Sequence, residues 1–77
     1  MTLSLYSIFD RVSGVYSEPF CSVNEAVAVR RFNYLMANSK MVAGDCELYC
    51  VGTFSTLNGA VEADIKPQFV IGSAANG

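Results

Sequence analysis

Ser22-Val23-Asn24-Glu25-Ala26-Val27-Ala28-Val29-Arg30-Arg31-Phe32-Asn33-Tyr34-Leu35-Met36-Ala37-Asn38 decides the fold, because everything on either side of it reads as β-structure. Ala28, Phe32 and Leu35, and Val29, Phe32 and Met36, recur at steps of three and four, the period of an amphipathic helix. That stripe, through Val29, Phe32, Leu35 and Met36, is expected to face a sheet. Ser22-Val23-Asn24-Glu25 matches a capping box, with Ser22 as the N-cap, Glu25 reaching back and Asn24 as a competing cap. Lys40 sits just beyond the helix, where a cation is favourable against the negative end of the helix dipole.

Before the helix, Leu3-Ser4-Leu5-Tyr6-Ser7-Ile8-Phe9-Asp10 alternates as a strand, with Leu3, Leu5 and Phe9 on one face and Tyr6 and Ile8 on the other. Both faces are partly apolar, which suits a strand covered on both sides. Gly14 supplies the turn, and residues 15–20 read as the return strand, with Pro19 marking an edge or an end. After the helix, a loop containing Gly44 leads into a second strand at Cys46–Phe54. Asn58-Gly59 is a strong hairpin signal, and Val61 to Ile65 alternates apolar and acidic. Pro67 interrupts this run, and Phe69-Val70-Ile71 either continues it or forms a separate short strand. The expected architecture is α+β: β-hairpin, helix, β-hairpin, forming a mainly antiparallel sheet with one helix packed on it. One domain spans residues 1–77, with about 72–77 as a flexible tail.

The 77-residue chain is 52% hydrophobic and 16% charged. So small a domain is marginal alone, and the apolar excess fits either a homodimer or a dense monomeric core. A net charge of −2 and a pI near 4.7 argue against a general nucleic-acid sponge but leave room for a local basic patch. Three cysteines, an odd number, and a start without a basic leader region point to free thiols in a reducing cytosol. No apolar run is long enough to span a bilayer, so no membrane partner is expected. Histidine is absent, which removes the commonest general base and metal ligand. No enzymatic activity, metal or cofactor is expected. Cys46 and Cys50, four apart on a strand, have Cα atoms roughly 13 Å apart, too far for a disulfide. They read as core-packing thiols.

Taken in order, these segments resemble the small nonstructural, DNA-associated proteins of microviruses, especially the gokushovirus-like branch. The resemblance rests on Tyr6-Ser7-Ile8-Phe9-Asp10 and its turn, Pro19-Phe20, the helix with Ala26 and Arg30-Arg31-Phe32, the run Asp45-Cys46-Glu47-Leu48-Tyr49-Cys50-Val51-Gly52-Thr53-Phe54, and Asn58-Gly59. It covers about Leu3 to Ile71. The chain departs from the pattern in a short loop without proline before Asp45 and in cysteines at positions 46 and 50. The resemblance implies a phage protein of the host cytoplasm that handles single-stranded DNA, the phage genome, in replication or in the switch to packaging. It brings no catalytic motif.

Arg30, Arg31 and Tyr34 lie three and four apart and share a helical surface. Arginine forks onto phosphate and tyrosine stacks on a base, although a solvated helix face has the same pattern. Tyr6, Tyr16 and Tyr49 are candidates for a stacking platform on an exposed sheet face, against the alternative of core or dimer interface. Arg11 and Lys40 complete the candidate nucleic-acid contacts. The other functional reading is a protein–protein adaptor that links phage replication or procapsid components without touching DNA.

Overall fold

Two long strands pair at the centre of the sheet, and the rest of the chain is arranged around them. The computed structural model describes residues 1–41 and 43–72. Of the tail expected over about residues 72–77, Gly72 instead ends the last strand, and residues 73–77 lie outside the described residues. Strand β1 (Thr2–Asp10) is followed by β2 (Val15–Tyr16), β3 (Phe20–Ser22), helix α1 (Glu25–Ala37), β4 (Cys46–Ser55) and β5 (Val61–Gly72). The sheet order is β2-β1-β4-β5, with β3 also paired to β1, and every pairing is antiparallel. The α+β expectation of two hairpins and one helix is therefore the observed architecture, and the hairpins join through β1 and β4.

The return strand expected over residues 15–20 is split in two. Asp10 and Phe9 pair with Val15 and Tyr16, and Ser4 to Tyr6 pair with Ser22 to Phe20. Pro19 has no N–H for the ladder, and Ser17 bridges the gap. Its N–H donates to the Ile8 carbonyl at 2.8 Å. Its Oγ accepts from the Ile8 N–H at 2.9 Å, and its carbonyl accepts from Ser7 Oγ at 2.7 Å. Because β3 takes Ser22 into the ladder opposite Ser4, Ser22 is not the helix cap. Asn24 caps instead, its Oδ1 accepting from the Val27 N–H at 2.9 Å. Ser22 Oγ donates to the Asn24 carbonyl at 3.0 Å and braces the cap. At the other end Asn38 donates from its backbone to Leu35 and from its side-chain amide to the Tyr34 carbonyl. The last turn of α1 contains no basic residue, so Lys40 lies outside it.

Strand β5 runs through Pro67 because it arches there. Cys50 and Gly52 flank one residue on β4, while their partners Gln68 and Ala63 flank four on β5. Asp64-Ile65-Lys66-Pro67 bulges outward, where proline costs no ladder bond. Gly52 sits at the root of the arch. A Cβ there would collide with the Glu62 carbonyl and come within 3.2 Å of the Ala63 Cα. Both hairpin turns close on glycine at φ 76°, Gly14 and Gly59, a conformation that other residues adopt at a cost.

Helix α1 covers one face of the sheet only. Ala28 and Phe32 are fully buried against Tyr6, Cys46 and Leu48, with Ile8, Phe20, Val29, Met36, Cys50, Val70 and Ile71 packed around them. Leu35, expected on this stripe, is half-buried and outside that cluster. The opposite face of β1, expected to be covered as well, carries no second layer among the described residues.

Two predictions follow from this core. Phe32→Ala removes the largest helix contribution and should cost about 3–5 kcal/mol, a large share of the stability of a domain this small. Urea unfolding followed by circular dichroism reads it. Gly52→Ala forces β4 and β5 apart and should cost on the order of 1–3 kcal/mol; an unchanged urea midpoint would contradict the close approach at Gly52.

Candidate nucleic-acid interface

Three side chains stack from the core to the surface beside α1. Tyr6 is buried at 3% exposure. Its ring lies 6.0 Å from that of Phe20, at 29° between planes. The Arg31 guanidinium sits 4.7 Å above the Phe20 ring, within range of a cation–π contact. Tyr6 is thus not a stacking residue for DNA; it belongs to the helix-covered face and supports Phe20, which holds Arg31. Burial pushes its phenol above the ordinary value.

Arg30, Arg31, Asn33 and Tyr34 are all exposed on the outer side of α1, and Tyr34 is 69% exposed. This is the grouping read from the helical spacing. Charge is sharply divided around it. From Ala26 to Met41 there are three basic residues and no acid, a formal +3, while the remaining positions carry two basic residues and seven acids, −5. The division is legible in the sequence as an acid-free run of nineteen residues, Ala26 to Gly44, a signal that overall pI conceals. Lys40 is exposed at the far end of the same stretch.

Tyr16 and Tyr49 lie on the other side of the sheet. Phe9 contacts Tyr16 at 4.6 Å between ring centroids, Tyr16 contacts Tyr49 at 5.6 Å, and Tyr49 contacts Phe69 at 5.7 Å. The last two contacts are edge-to-face, the favoured packing of aromatic rings among themselves. The Tyr49 hydroxyl donates to Glu47 Oε1 at 2.9 Å, and that carboxylate holds the phenol above its usual range. Phe9 and Phe69 complete this cluster and were not recognised as candidates from the sequence. The signal for them is alternation: Phe9 shares a face with Leu3 and Leu5.

Arg11, in the β1–β2 turn, is held away from the helix surface. Its backbone N–H donates to the Asp45 carbonyl at 2.8 Å, and its guanidinium donates to the Gly44 carbonyl. The structure therefore divides the candidate residues: Arg30, Arg31, Tyr34 and Lys40 go with α1, Tyr16 and Tyr49 lie on the open sheet face, Arg11 is at the turn, and Tyr6 is in the core.

Neither Cys46 nor Cys50 is an activated nucleophile. Burial, aided by Asp10 and Asp45, pushes Cys46 up, and burial likewise raises Cys50; a raised thiol is mostly protonated at neutral pH. Among the described residues no group of three or more histidine, cysteine or acidic side chains is placed to hold a metal, and no helix is long and apolar enough to cross a membrane. A shallow groove of about 230 Å3 near the β4–β5 turn is lined by Thr2, Thr53, Ser55, Asn58, Ala60 and Glu62. Its one charged group is a carboxylate, the wrong sign for phosphate.

No curated protein and no solved structure matches the chain. A family model described as Phage ORF5 protein matches residues 3–76, nearly the whole sequence. The chain therefore belongs to the Phage ORF5 protein family, a family of bacteriophage proteins.

Proposed function

We propose that the protein is a small nonstructural protein of a microvirus, related to the gokushovirus-like branch, that binds single-stranded DNA through the outer surface of α1. It reads no sequence, catalyses no reaction, and assists genome replication or the switch to packaging in the host cytoplasm. The observation that carries this reading is the acid-free stretch from Ala26 to Met41 with Arg30, Arg31 and an exposed Tyr34. Phosphates meet the guanidinium groups and a base lies on the Tyr34 ring. The Tyr6–Phe20–Arg31 stack limits the side-chain freedom that Arg31 loses on binding. Family membership supports the phage setting, and the sequence resemblance supports the microvirus and its DNA.

Fluorescence anisotropy of a labelled, unstructured single-stranded DNA, titrated at low and near-physiological salt, tests this. Binding should weaken steeply with salt. Single-strand binding loses about 0.7 in log–log slope per phosphate contact, so Arg30→Ala with Arg31→Ala should flatten the slope by about 1.4 and lower affinity. Tyr34→Ala should cost on the order of 1–3 kcal/mol with the slope unchanged, because stacking releases no counterions. Equal binding by wild type and the double arginine variant removes α1 from the interface.

A second reading has its own observation, the apolar outer face of the sheet. It supports an adaptor that links phage replication or procapsid proteins. Absence of DNA binding at either salt, with a salt-insensitive complex with a phage protein, would put it first.

A further inference from the structure

An antiparallel sheet with one solvated face places polar side chains on that face. Here the strand registers put Leu3, Leu5, Phe9, Phe54, Val61 and Phe69 on the side away from α1, alongside Tyr16 and Tyr49. Val61 and Phe69 are 62% and 59% exposed. Glu47 is the one charged side chain at these register positions, and its carboxylate is already bonded by the Tyr49 hydroxyl. A continuous apolar face of this size marks an interaction site.

We infer that this face closes on the same face of a second copy, giving a two-fold symmetric β-sandwich with the helices outside. The proposal does not rest on DNA binding. Three observations favour a second copy. The two longer principal-axis extents of the molecule, 39 × 22 Å, bound a face of roughly 850 Å2, and a stable specific interface buries about 800 Å2 per partner. Charge is the second. The protomer is net negative, and the acids that would make two copies repel lie almost entirely off this face. The third is geometry. An uncovered antiparallel sheet face packs on its equal at about 10 Å, interdigitating inner side chains, and a two-fold pairing sets the same patch against itself. Closure buries the Phe9–Tyr16–Tyr49–Phe69 cluster and leaves Arg30, Arg31 and Tyr34 of both copies exposed on opposite outer sides.

Sedimentation equilibrium of the full chain at tens of micromolar tests this. Wild type should sediment at twice the 8.3 kDa chain mass. Phe69→Glu and Val61→Glu, both exposed in the protomer, should each raise the dimer dissociation constant by on the order of 100-fold or more, because each buries two unpaired carboxylates in the interface. Their circular dichroism should match wild type. Ile65→Glu, on the outward arch of β5, should stay dimeric. A wild-type chain at single mass overturns the proposal and leaves the face to a different protein. Dimers that persist in both Phe69→Glu and Val61→Glu also overturn it, in favour of pairing along the β5 edge. Either result leaves the anisotropy test of α1 unaffected.

Discussion

The contact of Phe32 and Ala28 with Tyr6 and Leu48 is the constraint on which the rest of the structure depends. One thirteen-residue helix has one apolar stripe, and it covers one side of the central β1–β4 pair. Among the described residues there is no second α-helix for the other side. The two faces of the sheet therefore have different fates: one is filled by α1, and the other keeps its apolar side chains in the open.

That asymmetry separates two chemistries. Helix α1 turns its stripe inward and leaves Arg30, Arg31 and Tyr34 outside, in a stretch without acids. Polyanion binding needs such a local excess of positive charge, whatever the net charge of the chain. The opposite face holds mutually packed rings and almost no charge, conditions that suit burial against protein. A basic helix outside and an apolar sheet within would let one small chain bind nucleic acid and assemble without the two surfaces competing.

Much of the fold was legible because local signals and tertiary packing agree. The alternation in β1, the helical stripe, the turn glycines Gly14 and Gly59 and the Asn-Gly turn are each found where their residue types predict. The misreadings occur where a neighbour overrides a local preference. Ser22 has cap chemistry, but its pairing with Ser4 places it in β3. Pro67 left two readings open, a continued strand or a separate one, and the arch from Asp64 to Pro67 decides for the first by letting β5 run on to Gly72. Tyr6, Tyr16 and Tyr49 look equivalent as aromatic candidates, yet pleat and register send Tyr6 under the helix and the other two to the open face.

By itself the sequence determined the element types, the apolar stripe of α1, the grouping of Arg30, Arg31 and Tyr34, and the two-sided apolar character of β1, because all of these are set by spacing along the chain. Only the tertiary structure decided that β1 and β4 are central, that Phe20 carries Arg31 on a support from Tyr6, and that Phe9, Tyr16, Tyr49 and Phe69 form one cluster. Those facts depend on which strands pair and in what register, and pairing between residues tens of positions apart leaves no periodic trace in the chain.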